Sequence, residues 1–166
     1  NLGEQNSVLN QFVSEIRDVN IQKDSLRFRR NLERIGEIFA YEISKTLNYV
    51  PSEVETPLGI ANIQLCNQTI VLGTILRAGL PLHQGLLNYF DCAQNSFIAA
   101  YRKYGKDNKF TIQIEYASSP KLEGKILILA DTMLATGASI VLAYEKLCQE
   151  GEPIHTHLVC PITSAY

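Results

Sequence analysis

The run Ile126-Leu-Ile-Leu-Ala130 is apolar at every position and leaves no face for water. A strand of that kind has to be covered on both sides, the condition of a parallel sheet packed between helices. Ile70-Val-Leu-Gly-Thr-Ile75 is a second such run, short and rich in β-branched residues. Residues 96–101 and 154–160 supply two more strand patterns. Helical patterns alternate with them: one opens at Pro81 and runs to about Phe90, and another spans 139–149 and closes at Gly151 and Pro153. Strands alternating with helices predict an α/β fold, a mostly parallel sheet flanked by helices. Ahead of it, Phe28, Leu32, Ile35, Phe39, Ile43 and Leu47 form one continuous stripe of an N-terminal helix that starts at Asp24-Ser25. Residues 52–56 and 60–65 flank Pro57-Leu58-Gly59 and read as a hairpin. Residues 110–116 alternate within a polar, Lys-rich stretch, 103–123, which predicts an exposed β-hairpin arm.

Composition narrows the function. The chain has 166 residues, 46% of them hydrophobic, with 15 Lys plus Arg against 17 Asp plus Glu and a net charge of −2. Such a chain builds a core without disulfide or metal, is not mainly disordered, and exerts no global pull on nucleic acid or anionic lipid. No apolar run approaches the ~20 residues of a membrane span. The opening Asn1-Leu-Gly-Glu-Gln-Asn6 lacks the basic start and apolar stretch of a signal peptide, so a cytoplasmic protein is expected. Cys66, Cys92, Cys148 and Cys160 show no zinc-type spacing and read as reduced, mostly structural thiols. A single unit over 1–166 is expected, with a helical part, 1–50, and an α/β core, 51–166.

The most informative stretch begins where the apolar run ends, at Asp131-Thr-Met-Leu-Ala-Thr-Gly-Ala-Ser139. At the C-terminal end of a parallel strand, a small-residue loop leading into a helix is where open α/β sheets bind ligands. The amides and dipole of the helix start favour a phosphate. Thr136 and Ser139 add hydroxyl donors, Gly137 permits close backbone approach, and Asp131 is left facing sugar hydroxyls or a hydrated metal ion. The loop contains no Lys, so it is not a Walker P-loop, and the chain has no GxGxxG.

This stretch resembles the phosphoribosyl-pyrophosphate (PRPP) motif of type I phosphoribosyltransferases. Asp131-x-Met133-Leu134-Ala135-Thr136-Gly137-x-Ser139 is similar to the uracil phosphoribosyltransferase version. Ile75-Leu76-Arg77-Ala78-Gly79-Leu80 resembles that family's pyrophosphate loop, and Tyr101-Arg102 its Tyr-Arg pair before the flexible arm. Ile16-Arg17-Asp18, Phe28-Arg29, Ile35-Gly36 and Tyr41-Glu42 match in the front half. The resemblance implies a phosphoribosyltransferase type I fold and transfer of phosphoribosyl from PRPP to uracil, giving UMP and pyrophosphate in pyrimidine salvage. It implies a PRPP site made of Arg77, Ala78, Gly79, Arg102, Asp131, Thr132, Met133, Leu134, Ala135, Thr136, Gly137, Ala138 and Ser139. It implies Asp131 and Arg77 as the catalytic residues. Mg2+ comes with PRPP and is not held by the protein directly, and a homodimer or higher homo-oligomer is implied. A guanidinium fixed after a buried strand, as at Arg77, can neutralise pyrophosphate oxygens in bidentate fashion. Arg102, at the end of the next strand, adds a second cation on the same sheet edge.

Two loop positions depart from the family, which usually has Asp-Pro and Thr-Gly-Gly-Ser where this chain has Asp131-Thr132 and Thr136-Gly137-Ala138-Ser139. Thr132 is expected to loosen the turn slightly. Ala138 matters more if the backbone there needs a positive φ or a clearance to phosphate too small for a side chain. In the family, a segment beyond the last strand carries Tyr-Ile-x-Pro-Gly and Gly-Asp-Ala-Gly-Asp and recognises uracil. The chain reaches Tyr166 before any such sequence and does not begin with Met, so an incomplete chain is expected. The alternative function is a PRPP- or nucleotide-binding regulator of the same fold without turnover.

Elsewhere, His155 and His157 fall on one strand face and Cys160 on the other, too few ligands for a metal site. His83, early in the helix after the Arg77 loop, is within reach of a ligand there but is expected on the helix surface. Arg27, Arg29, Arg30 and Arg34, interleaved with Glu33 and Glu37, read as a solvated or subunit-facing surface rather than a nucleic-acid site.

Overall fold

The computed structural model describes residues 1–104 and 110–164, with side chains outside 102–111. Helices α1 (Val8–Arg17), α2 (Ser25–Ser44), α3 (Leu80–Leu87) and α4 (Ala138–Leu147) frame it. The strands are β1 (Tyr49–Thr56), β2 (Gly59–Cys66), β3 (Ile70–Leu76), β4 (Gln94–Tyr104), β5 (Phe110–Ser118), β6 (Ile126–Ala130), β7 (Met133–Leu134), β8 (His155–Val159) and β9 (Ile162–Thr163). The central sheet has the order β5-β4-β3-β6-β8. Strands β4, β3, β6 and β8 run parallel, and β5 closes one edge antiparallel to β4.

Alternate side chains of the buried strands divide between two cores, as the period of two requires. Ile70 and Leu72 of β3, with Ile126, Ile128 and Ala130 of β6, face α2 and α3. Val71 and Ile75, with Leu127 and Leu129, face α4 through Ile140, Ala143 and Leu147. Helix α2 starts as its sequence predicts: the Asp24 carboxylate accepts from the amides of Leu26 and Arg27. Leu32, Ile35 and Ile43 are buried along its stripe. It crosses α3 with backbones nearly touching, because a Cβ at Gly85 would overlap Glu33 O and one at Gly36 would overlap Leu82 O. Among the described residues no helix is long and apolar enough to cross a membrane.

Several expectations need correction. Helix α1 was not anticipated; Ser7 caps it, Leu9 and Ile16 are buried, and Glu15 ties it to α2 through Asn31 and Arg27. His83 is buried rather than on the surface, with Nε2 2.8 Å from Asn95 Oδ1 and its ring against Phe97. Burial lowers its pKa, toward the neutral ring. The expected hairpin arm is present over 110–116, where β5 pairs antiparallel with β4 from Tyr104↔Phe110 to Phe97↔Ser118 and Gln113, Glu115 and Tyr116 are exposed; its bound at 123 is corrected, since Leu122 is fully buried. Residues 105–109 of that stretch lie outside the described residues. Cys66 and Cys92 are exposed, so these two thiols are not core residues. The hairpin is longer than its sequence signal: β1 and β2 pair from Tyr49↔Cys66 to Thr56↔Gly59.

Candidate functional site

Strands β3 and β6 pair in parallel, so their C-terminal loops emerge side by side. A cavity of about 220 Å³ opens at this edge, lined by Ile75, Ala100, Tyr101, Ile112, Asp131, Met133 and Ser139. Three of the residues read from the sequence, Asp131, Met133 and Ser139, line it directly. Thr132, Leu134, Ala135, Thr136, Gly137 and Ala138 complete the loop around it. Arg77, Ala78 and Gly79 form the adjacent loop, where Arg77 and Ala78 are exposed and Gly79 is buried. The Leu76–Arg77 peptide is cis. Arg102 pairs with Ile112 inside β4, beyond the last β3 partner Ala99, rather than at a strand end. Its side chain lies outside the described residues. A larger hollow of about 910 Å³ sits elsewhere, between α1, the end of α2 and β8, and contains none of these loop residues.

Asp131 is anchored on both sides. Its amide donates to Val159 O at 3.1 Å, and its Oδ1 accepts from the Thr132 amide at 2.7 Å. Burial pushes its carboxyl above the usual aspartate range, although backbone donors at Thr132 and Met133 oppose this. Among the described residues no cation pairs with this half-buried carboxylate.

The rest of the loop rests on Gly137, which caps α4 with φ of +77°. The left-handed region falls on that glycine, and Ala138 is already the first residue of the helix. A positive φ, one of the two conditions under which Ala138 would matter, is thus not required at that position. Thr136 Oγ1 accepts from the Ala138 amide at 3.4 Å, so the threonine faces the helix start. Strand β7, inside the loop, pairs in parallel with β9, and Ser164 bonds back to Leu134 O and Ala135 O. The segment after β8 therefore straps the loop from outside. Sequence reading missed this strap, and Tyr101 and Ile112 as lining residues. A two-residue strand is too short to show a period, so β7 and β9 carried no readable signal.

Solved structures share the architecture. A protein of Aquifex aeolicus superposes with a TM-score of 0.81 over 96% of this chain and 85% of its own, at 23% identity. A hypoxanthine phosphoribosyltransferase of Staphylococcus aureus gives 0.57 over 82% of this chain and 65% of its own, at 15% identity. A purine phosphoribosyltransferase of Pyrococcus horikoshii gives 0.53 over 78% and 71%, also at 15% identity. The fold is that of the type I phosphoribosyltransferases, and the Arg77 loop and the Asp131–Ser139 loop lie on the sheet edge where open α/β folds bind ligands. Within that class the chain belongs to the uracil phosphoribosyltransferase family, whose model matches residues 4–165. A uracil phosphoribosyltransferase of Porphyromonas gingivalis is 53% identical over 98% of this chain and 76% of its own length. One from Methanothermobacter thermautotrophicus is 40% identical over 80% of this chain and 62% of its own.

Proposed function

We propose that the chain, as one phosphoribosyltransferase-like unit, transfers the phosphoribosyl group of PRPP to uracil, giving UMP and pyrophosphate in pyrimidine salvage. The observation that carries this reading is the meeting of the Arg77 loop and the Asp131–Ser139 loop at one sheet edge, in a member of this family. The C1′–O bond to pyrophosphate breaks, the C1′–N1 bond to uracil forms, and the N1 proton passes to solvent. Such a step needs positioning and charge neutralisation more than covalent help.

In this reading the exposed Arg77 guanidinium meets the pyrophosphate oxygens, and Ala78 and Gly79 let them approach the backbone. Arg102 supplies a second cation from β4. Asp131, as a carboxylate, accepts from the ribose hydroxyls. Thr136, Gly137, Ser139 and the start of α4 hold the 5′-phosphate, with Thr132, Met133, Leu134, Ala135 and Ala138 shaping the wall. Among the described residues no group of three His, Cys, Asp or Glu side chains could hold a metal ion, and Asp131 is the acid that lines the cavity. That donor set fits Mg2+ entering as part of the substrate, ligated by phosphate oxygens and water. A homodimer or larger homo-oligomer and a cytoplasmic location complete the proposal.

The test is product formation by the natural full-length protein supplied with PRPP, Mg2+ and a panel of bases. UMP and pyrophosphate in equal amounts with uracil, and no nucleotide with hypoxanthine, are the expected result. Tight PRPP binding without any UMP would replace this reading with a regulator of the same fold.

A further inference from the structure

Thr74 is a hydroxyl in the middle of an apolar core. Its residue is 0% exposed, on a strand whose other inner positions are apolar apart from Gly73. A buried hydroxyl needs a partner, and Thr74 Oγ1 donates to Ala130 O at 3.3 Å. These two residues are register partners across β3 and β6, and Asp131 follows Ala130 directly. The same side chain lies under the other loop. There the Gly79 amide donates to Ile75 O at 3.2 Å, and the turn passes so close that a Cβ at Gly79 would overlap the Thr74 hydroxyl. One buried side chain thus touches the turn behind Arg77 and the carbonyl in front of Asp131.

Packing alone does not call for this hydroxyl. Valine has nearly the same shape and suits a buried parallel strand at least as well. We infer that Thr74 is a positioning residue for PRPP, setting the distance between the pyrophosphate loop and the ribose–phosphate loop. The inference rests on the proposed reading of the site.

Thr74→Val and Thr74→Ser separate this role from plain stability. Valine keeps the volume and loses the hydroxyl; serine keeps the hydroxyl and gives up a buried methyl. With the full-length protein, kcat/KM for PRPP falls about fivefold in Thr74→Val, the scale of one neutral hydrogen bond. The KM for uracil stays unchanged. Thr74→Ser holds PRPP use within about twofold of wild type although it loses a core methyl and melts lower. Wild-type PRPP use in Thr74→Val, or equal impairment of both variants, would overturn the inference. Calorimetric titration of PRPP without uracil keeps the two questions apart. If the wild type binds PRPP but makes no UMP, the transferase reading fails and Thr74 is judged on the same fivefold criterion applied to Kd. A wild type that does not bind PRPP overturns both.

Discussion

The crossing of α2 and α3 sets where the Arg77 loop sits, since α3 begins at Leu80, immediately after it. Gly85→Ala probes that crossing. The added Cβ would overlap Glu33 O and stand 2.8 Å from Glu33 C and 2.9 Å from Glu37 N, all of it backbone. No side-chain rotation relieves such a contact, so the helices must separate, loosening Leu82 and Leu86 in the core they share with Leu32 and Ile35. The alanine gains ~1 kcal/mol of helix propensity. Forced expansion costs ~1–3 kcal/mol, and a clash with rigid backbone belongs at the upper end, for a net loss of about 2 kcal/mol. At ~2–4 °C per kcal/mol for a chain of this size, Tm falls by about 4–8 °C. Thermal melts followed by circular dichroism measure it, with Gly36→Ala and the double variant alongside. Both glycines serve one contact, so the double loss is smaller than the sum of the single losses. A Tm for Gly85→Ala at or above wild type would refute the close-packing argument.

Other substitutions address the site and its support. Asp131→Asn abolishes UMP formation while Tm holds or rises, because the carboxylate it removes is destabilised by burial; residual wild-type activity would remove Asp131 from the mechanism. The same raised carboxyl places the acid limb of kcat/KM for PRPP above the ordinary aspartate range, and a limb at or below that range would contradict the assignment. Glu15, held down to about 2 by hydrogen bonds from Gln11, Asn31 and Arg27, stabilises the fold fully above its ordinary 4.5 and loses that effect as pH falls toward 2. Glu15→Gln therefore melts below wild type at neutral pH, and the gap closes across that acid window; a gap independent of pH would show that the charge is immaterial. Ala138→Gly keeps PRPP affinity, since Gly137 already supplies the left-handed residue, and lowers Tm slightly through helix propensity; a clear loss of affinity in titration would mean the loop is built otherwise.

What could be read from the chain and what could not divide along a physical line. Strands β3 and β6 were legible because burial on both faces admits only apolar residues, and α2 because a single stripe repeats for five turns with Asp24 at its head. The loop from Asp131 to Ser139 was legible as a loop because an acid, three hydroxyl residues and a glycine directly follow a fully apolar strand. Helix α1 had a readable cap and stripe in Ser7, Leu9, Phe12, Val13 and Ile16, and was overlooked among its polar neighbours. His83 was different in kind. Its partner Asn95 and its neighbour Phe97 lie on another element, and topology alone brings them beneath α3. Thr74 was hidden for the same reason, as its hydroxyl acquires a purpose only when β6 lies beside β3.

The departures at Thr132 and Ala138 then become intelligible. The loops place their strictest demands on backbone, and two glycines meet them for unrelated reasons. Gly137 occupies a φ of +77° that a side chain strains, whereas Gly79 takes an ordinary φ of −70° and is required because Thr74 and Ile75 leave no room for a Cβ. Ala138 meets neither demand, being helical and exposed, and Thr132 keeps its amide on Asp131 without the ring of a proline. The charges are also placed unequally: Arg77 stands exposed while Asp131 is half-buried. Solvent and salt screen the arginine until a ligand covers it, whereas the aspartate is desolvated before any ligand arrives. The proposed site is thus preorganised on the ribose side and open to ionic strength on the pyrophosphate side.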